Sequence, residues 1–176
     1  MYTELKTDRL LLRPVCAADA ETMHAYTGDP DLTRYMIFLP HDSLSETESF
    51  LKQAEAEWQK DAPAFFEFTV LLDETQIGKF SIWLDETRTE GELGWLLHRE
   101  YHGRGYALES ASAVCRFAFE TLHLQKLVAQ CDARNTPSAR LMEKLGMTLA
   151  DDTGLRTYAK RTETARELTY ILENPN

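Results

Sequence analysis

A glycine-rich segment in the second half of the chain is the first place where residue types and spacing could support chemistry. Gly103-Arg104-Gly105 follows a stretch predicted as a strand and precedes one predicted as a helix. Glycines allow a tight turn, and a helix start adds unpaired N–H groups and the positive end of its dipole. Such a turn could bind a phosphate or pyrophosphate, with Arg104 adding a charge-assisted contact. The alternative is a connection that needs glycine only for its positive φ angles.

Two common nucleotide-binding motifs do not fit this segment. A dinucleotide fingerprint needs a third glycine three residues after the second, where this chain has Leu108. A P-loop needs Gly-Lys-Ser or Gly-Lys-Thr, and neither occurs in the chain. The segment is therefore predicted to bind a diphosphate in a different structural setting.

A second group of polar residues follows the next predicted strand. Asn135-Thr136-Pro137-Ser138 connects that strand to a short predicted helix. The side chains of Asn135 and Ser138 could both point towards a ligand that lies beside the strand. Ordinary capping of the helix by Asn, Thr or Ser is the alternative.

Apolar periodicity predicts the elements that must position these residues. The first half of the chain is predicted to form a strand, two helices and three strands of an antiparallel meander. The first helix is predicted to be capped by Asp19 or the residues just before it, and Ser45 and Glu48 are predicted to form a capping box on the second helix. These elements cover residues 5–14, 17–27, 45–60, 66–72, about 80–84, and 92–97.

The second half of the chain completes one mixed α+β domain, predicted over residues 1–176. Its third helix begins at the glycine-rich segment, and its fourth has Thr136 as N-cap, Pro137 at N1 and Gly146 at C′. A polar loop is predicted over 151–165. The helices cover 104–122 and 137–145, and the strands cover 126–133, 147–150 and 166–172.

Composition narrows the class of protein. With 29 acidic and 19 basic residues, the chain has a formal net charge of −10, which disfavours nucleic-acid binding because phosphates require a basic face. The charged N-terminus does not resemble a signal peptide, and no apolar run reaches the ~20 residues that span a bilayer. Cys16, Cys115 and Cys131 are too scattered to predict a disulfide framework or a zinc site. We expect a cytoplasmic protein that binds neither nucleic acid nor membrane.

The order and spacing of the two polar groups resemble the GNAT superfamily of N-acetyltransferases, which use acyl-coenzyme A. The shared pattern is strand, Gly-x-Gly, helix, strand, Asn-x-x-Ser and then Glu-Lys-Leu-Gly-Met at 143–147. The opening TDRLLLRP and the run GELGWLLHREYHGRGYALES are similar to the subgroup of ribosomal-protein N-terminal alanine acetyltransferases. The resemblance extends from residue 8 to about 172. One difference is Glu100, three residues before the first glycine, where much of the superfamily has Gln or Arg.

The resemblance implies a mixed, mostly antiparallel sheet of seven strands with about four helices. Its fourth and fifth strands, 92–98 and 126–132, would diverge, and the pantetheine arm of acetyl-coenzyme A would pair with backbone near Leu96 and Leu97 like an added strand. Asn135 would also contact this co-substrate. The pyrophosphate would lie on the amides of Gly103, Arg104, Gly105, Tyr106 and Ala107.

The resemblance also implies a mechanism. A neutral amine would attack the thioester directly, with no metal and no covalent enzyme intermediate. A backbone N–H of the fourth strand would stabilise the carbonyl oxygen, and Ser138 would protonate the departing thiolate. Glu92, predicted to share a strand face with Gly94 and Leu96, is the candidate base, unless it is a rim carboxylate that only attracts the amine. Glu67 is the second candidate.

The acceptor is expected to be a primary amine, either a protein N-terminus or a small molecule. The resemblance implies that its cleft is built from residues 28–44 and from the predicted loop 151–165. An acidic protein suits a cationic acceptor by charge. The alternative function is a non-catalytic module that binds or senses acyl-coenzyme A, and we expect a monomer or a homodimer. Within the implied acceptor cleft, the segment 28–44 contributes Tyr35, Met36, Phe38 and His41.

Overall fold

Eight strands form one mixed sheet in the computed structural model, which describes residues 2–175. The sheet order is β1-β2-β3-β4-β5-β6-β8-β7, and every neighbouring pair is antiparallel except β5 and β6. The strands are β1 Leu5–Lys6, β2 Leu10–Pro14, β3 Phe65–Leu72, β4 Thr75–Leu84, β5 Glu90–Leu97, β6 Lys126–Asp132, β7 Thr148–Tyr158 and β8 Arg161–Glu173. The α-helices are α1 Ala20–Thr27, α2 Leu44–Glu57, α3 Tyr106–Arg116 and α4 Thr136–Lys144.

This arrangement confirms the predicted fold class and differs from the prediction by one strand. The strand predicted over 5–14 is divided by a turn in which Thr7 and Leu10 exchange hydrogen bonds. The two halves, β1 and β2, then pair with each other as a short hairpin. No helix within residues 2–175 has the length and apolar character needed to cross a membrane.

The first two helices begin differently from the prediction. Helix α2 starts after Ser43, whose Oγ accepts a hydrogen bond from the Glu46 amide at 3.2 Å, so the capping box predicted at Ser45 and Glu48 is wrong. A short 3₁₀ turn precedes α1, and the Asp19 carboxylate accepts hydrogen bonds from Arg13 rather than capping that helix. At α1 the carboxylate of Asp19 is occupied by Arg13, and at α2 Ser43 provides the cap two residues before Ser45.

The meander of β3, β4 and β5 separates two kinds of residue onto its two faces, because successive strand residues point in opposite directions. Phe66 lies opposite Ile82, which lies opposite Leu93, and all three are buried in the larger core with α3. Trp58, at the end of α2, extends this core; its ring lies 4.9 Å from Phe66 and donates its indole N–H to a β3 carbonyl. The residues that alternate with Phe66, Ile82 and Leu93 along these three strands lie on the opposite face of the sheet, towards α1 and α2.

Helix α3 carries the chain from β5 back to β6, and this crossover makes the two strands parallel. Ala111 and Val114 line its buried side with no exposed surface. The helix predicted over 104–122 is α-helical only to Arg116, and residues 117–121 form a π turn. The ligand-binding interpretation depends on the other end of α3, which follows Gly105 directly.

The C-terminal part contains two corrections. Asn135, not Thr136, is the N-cap of α4, which places Pro137 at the second helical position, while Gly146 has the predicted positive φ beyond the helix end. The loop predicted over 151–165 is wrong, because β7 and β8 form a long hairpin there. Most of β7 is exposed, so its residues show no apolar alternation that could have indicated a strand.

Candidate active site

Strands β5 and β6 separate part-way along their length. Parallel pairing covers only residues 90–93 and 126–129. Beyond that point β5 pairs only with β4, and β6 pairs only with β8. Within residues 2–175 no strand fills the gap, so the edge of β5 over 94–97 is available to an extended ligand. The divergence implied for 92–98 and 126–132 is therefore present.

A cavity of about 580 Å³ lies beside this gap. Its walls come from the segment between α1 and α2, from Phe50 of α2, from strands β3 to β7 and from the start of α4. A pocket of this size suits a small molecule, with apolar walls and a few polar groups. The polar lining residues are His41, Glu67, Lys79, Ser81, Glu92, Gln130, Asn135, Ser138 and Arg156.

The sheet register explains why polar residues form the floor of this cavity. Glu67 lies opposite Ser81, which lies opposite Gly94, on the face that alternates with the large apolar core. A Cβ at Gly94 would lie 2.6 Å from the Ser81 Oγ, so only glycine fits beside this serine. The same register places Glu92 opposite Trp83, two residues along, which bears out the predicted common face of Glu92 and Gly94. Because Ser81 and Gly94 are both small, they leave space where β5 and β6 begin to separate.

Glu92 is the cavity carboxylate that has no ion-pair or hydrogen-bond partner among residues 2–175. The side chain is solvent-exposed in the open cavity, yet nearby protein raises the pKa of its carboxyl by reducing its solvation. The neighbouring Glu167 raises this pKa further, and Arg156 partly opposes the shift. A carboxylate with a raised pKa and no partner is suited to accept a proton.

Glu67, the second candidate, has a different environment. It is only 1% exposed and forms an ion pair with Lys79, with Oε1 and Nζ 2.9 Å apart. Burial raises the pKa of Glu67, while the charge and hydrogen bond of Lys79 act in the opposite direction. Lys79 also lies over the Phe50 ring, 4.7 Å from its centroid. Because Glu67 already neutralises the half-buried Lys79, it is less free than Glu92 to take a proton from a substrate.

The start of α4 places two predicted residues on the opposite side of the cavity. Asn135 Oδ1 accepts a hydrogen bond from the Ser138 amide at 3.3 Å, so the capping interpretation of Asn135 holds. The Ser138 hydroxyl forms no hydrogen bond within the described chain, which leaves it available to a ligand. The turn before the helix is held by the fully buried Asp132, whose carboxylate accepts bonds from the Arg134 backbone and guanidinium.

The glycine-rich turn has the backbone geometry expected of an anion-binding loop. Gly103 and Gly105 have φ angles of +74° and +83°, and Gly105 directly precedes α3. In the part of the chain that the structure describes, the amides of residues 103–107 donate to no protein acceptor. Their residues are exposed or half-buried, so these N–H groups can reach a ligand. Unpartnered amides at a helix start favour phosphate.

Arg9 fixes this turn from the neighbouring edge of the sheet. Its guanidinium donates to the Arg104 carbonyl at 3.1 Å and to Glu109 at 2.7 Å, and it lies over the Tyr106 ring. Burial alone would raise the pKa of Glu109, but hydrogen bonds from Thr7 and Arg9 outweigh it and lower that pKa. Arg9 therefore offsets the negative charge of Glu109 close to the amides that would receive a phosphate.

The wall formed by residues 34–40 is held against the β7–β8 hairpin by its own carbonyl groups. Arg161 donates to the carbonyl of residue 34, Arg156 to that of residue 35, and Lys160 to that of residue 40. The Ala159 amide donates to the carbonyl of residue 37 at 2.9 Å. Arg156 also pairs with Glu167 at 2.5 Å, which compensates its charge. These bonds hold the wall against the β7–β8 hairpin, most of whose turn region was predicted as a loop.

His41 lines the cavity as a neutral side chain. Its Nδ1 lies 2.8 Å from the Thr47 hydroxyl, which also lies 2.9 Å from the Nδ1 of His24. Burial lowers the pKa of His41 to about 4, so the ring carries no charge near neutral pH. Cys131, on the other side of the cavity, is buried in the larger core, and burial raises the pKa of its thiol to about 11. Neither residue adds a charge to the site.

The structure brings some predicted residues together and keeps others apart. The cavity collects Tyr35, Met36, Phe38, His41, Glu67, Glu92, Asn135 and Ser138. The residues expected to bind the co-substrate through backbone lie outside it: Leu96 and Leu97 are buried on β5, and Gly103, Arg104, Gly105, Tyr106 and Ala107 lie at the start of α3.

Sequence reasoning missed several lining residues. Lys79 and Ser81 alternate with apolar residues on β4, and Gln130 interrupts an apolar run on β6. This pattern is a signal that could have identified all three. Arg156 gave no such signal, because its segment was interpreted as a loop. Its importance comes from the hairpin, where it is only 7% exposed.

Comparison with known proteins agrees with this geometry. A family model described as an acetyltransferase (GNAT) domain matches residues 9–148. An uncharacterized N-acetyltransferase, YnaD of Bacillus subtilis (strain 168), is 28% identical over 146 residues that cover 81% of each chain. The crystal structure of an acetyltransferase (GNAT family) from Bacillus anthracis has a TM-score of 0.87 and 26% identity, covering 99% of this chain and 100% of the other.

A more distant structure shares the fold. RimL, a ribosomal L7/L12 alpha-N-protein acetyltransferase in complex with coenzyme A, has a TM-score of 0.86 at 15% identity and covers 97% of this chain and 98% of its own. Since the family model matches most of the chain and the diverging strands are present, this protein belongs to the GNAT acetyltransferase family.

Proposed function

We propose that this enzyme transfers an acetyl group from acetyl-coenzyme A to a primary amine, which attacks the thioester directly while both are bound. The observation that carries the proposal is one cavity, beside the gap between β5 and β6, that contains the unpaired Glu92 carboxylate and the unpaired Ser138 hydroxyl. A base on one side and an acid on the other are what amine acylation requires.

The residues around the gap suit acetyl-coenzyme A, which supplies the thioester when bound. The unpartnered amides of residues 103–107, together with Arg104, would hold the pyrophosphate. The free edge of β5, including Leu96 and Leu97, would pair with the pantetheine amides. Asn135 would contact the same arm with the part of its amide that does not cap α4.

Glu92 would act as the base. Its raised pKa makes the carboxylate a stronger base than an ordinary glutamate, and the absence of a partner means that no ion pair has to break first. The proton leaves the ammonium of the acceptor, so the nitrogen gains the lone pair that attacks the carbonyl carbon. Glu67 is the weaker candidate because Lys79 holds its charge.

Two further groups would complete the reaction. A backbone N–H on the open edge of β5 would donate to the thioester oxygen as negative charge develops there. The Ser138 hydroxyl would donate its proton to the sulfur as the carbon–sulfur bond breaks, which releases coenzyme A as a thiol. The second proton that the nitrogen loses as the amide forms would return to Ser138 through solvent and restore the hydroxyl.

The direct test is incubation of the protein with acetyl-coenzyme A and a mixed library of amines and peptides. Amine-dependent release of free thiol, together with a mass increase of one acetyl group on an amine, would support the proposal. Binding of coenzyme A without any acetylated product would instead support the non-catalytic sensor or binding module. The cytoplasmic location and the monomer or homodimer stay predictions, which cell fractionation and size-exclusion chromatography can test.

A further inference from the structure

The cavity combines aromatic walls with one carboxylate, Glu92, that has no ion-pair partner among the described residues. We propose that the acceptor is a small primary monoamine with an aromatic group, rather than a polyamine or a protein N-terminus. This inference rests on the proposed function, because it names the class of amine that the same cavity would acetylate.

Aromatic side chains form much of the cavity wall. Phe38, Phe50 and Trp83 all line the cavity, together with Tyr35 and Trp95. Trp83 is 46% exposed, and its ring stacks on Phe65 with centroids 4.1 Å apart, so it is held in position while presenting surface to a ligand. Aromatic rings favour offset or edge-to-face contacts with a ligand ring, which add to the affinity that burial of the ring already gives.

The charges that line the cavity favour one ammonium group. Lys79 neutralises Glu67, and Glu167 neutralises Arg156, in ion pairs of 2.9 and 2.5 Å. Among the described lining residues, Glu92 is then the carboxylate left to attract a cation. A polyamine would bring two or three ammonium groups into a cavity that offers one free carboxylate, and each unpaired charge would lose solvation.

The hydrogen bonds of the cavity wall disfavour an extended peptide. Peptides commonly bind by pairing their backbone with free backbone groups. The carbonyls of residues 34, 35, 37 and 40 already accept bonds from the β7–β8 hairpin. A ligand on this wall therefore meets side chains, mostly apolar ones, and gains more from an aromatic group than from further peptide bonds.

The experiment compares acetylation of 2-phenylethylamine, propylamine, spermidine and an alanine-initiated tetrapeptide, each with acetyl-coenzyme A and thiol release as the readout. We expect the kcat/KM for 2-phenylethylamine to exceed that of each other acceptor by about tenfold, which is the discrimination that a filled apolar pocket typically gives. Preference for spermidine or for the peptide would overturn the inference while leaving the proposed function intact. Failure to acetylate any amine, by protein that still binds coenzyme A, would overturn the proposed function and this inference with it.

A variant identifies the wall responsible. Trp83→Ala should lower the ratio of kcat/KM for 2-phenylethylamine to that for propylamine about fivefold, and Trp83→Phe should restore most of it. Leu155→Ala is the matched control, since Leu155 is 70% exposed on β7 and lies outside the cavity lining. If Trp83→Ala does not fold, Phe38→Ala serves the same purpose, because Phe38 is 72% exposed. An unchanged ratio in the folded variant would contradict the inference.

Discussion

The two faces of the central sheet are built from alternate residues of the same strands, yet they have opposite characters. One face presents Phe66, Phe80 and Ile82 to α3, all 2% exposed or less. The other presents Glu67 and Ser81 among polar neighbours and opens into the cavity. The difference shows that one face supplies most of the apolar burial, which leaves the other free to hold groups that bind and react.

The polar face is also costly to maintain. Burying Glu67 and Lys79 removes both charges from water, and their attraction roughly balances that loss rather than exceeding it. The large core on the other side must therefore carry the stability of the sheet. This asymmetry leads to four predictions, in order of decreasing effect.

Neighbouring residues on β4 test the comparison most directly. Phe80→Ala should lower the free energy of unfolding by about 3–5 kcal/mol, because it leaves a cavity in the fully buried core. Ser81→Ala, one residue away on the other face, should change it by less than about 1 kcal/mol. Denaturant unfolding of both variants provides the measurement. Equal losses would show that the faces do not divide stability in this way.

Glu92→Gln should lower turnover by about a hundredfold or more, because amide nitrogen and oxygen cannot take up the proton of the amine. The raised pKa of Glu92 gives the sign of the pH dependence: activity increases with pH until that carboxyl is deprotonated. Glu92→Gln should lose this limb, the rise of activity as Glu92 is deprotonated, and keep the limb that comes from deprotonation of the amine substrate. Rates across a pH series check this.

Glu67→Gln is the matched control for the base. It should retain the pH limb of Glu92, although loss of its charge leaves Lys79 without an ion pair and lowers stability. Loss of the limb in Glu67→Gln, and its retention in Glu92→Gln, would reverse the assignment of the base.

The glycine turn extends the comparison to the end of the sheet, where backbone rather than side chains is expected to bind. Gly105→Val should weaken coenzyme A binding about thirtyfold, or about 2 kcal/mol. A β-branched residue resists a φ angle near +83°, so the turn would change shape and the amides of residues 103–107 would lose hydrogen bonds to the pyrophosphate. Calorimetric titration gives the affinity. Gly146→Val imposes similar strain at φ +82°, beyond the far end of α4, and should keep that affinity. Equal affinities in the two variants would argue against the phosphate assignment.

The smallest effect is expected at Ser138. Ser138→Ala should lower turnover about tenfold with little change in coenzyme A affinity, because water can partly replace a single proton donor. The capping bond to Asn135 uses the Ser138 backbone amide and so survives the change. Steady-state rates and a binding titration on the same preparation separate the two effects. An unchanged turnover would remove Ser138 from the mechanism.

Particular residues show how far the sequence could be interpreted. The apolar alternation of β3 predicted its buried face, and the glycine and asparagine segments predicted the ends of β5 and β6, because these signals are local. The capping box at Ser45 failed, since Ser43 provides an equally good cap two residues earlier. The part of the β7–β8 hairpin over 151–165 was missed, because it is stabilised by ion pairs and long-range backbone bonds, which leave no periodic pattern.

The sequence by itself determined the family, the order of the elements and the two short segments at the gap, because turn glycines, caps and periodicity act over a few residues. Only the tertiary structure decided which carboxylate is free. Glu67 and Glu92 are both acidic residues within predicted strands, and the register places Lys79 against one and leaves the other without a partner. Charge compensation depends on contacts between distant strands, so it follows from the folded sheet and not from residue type.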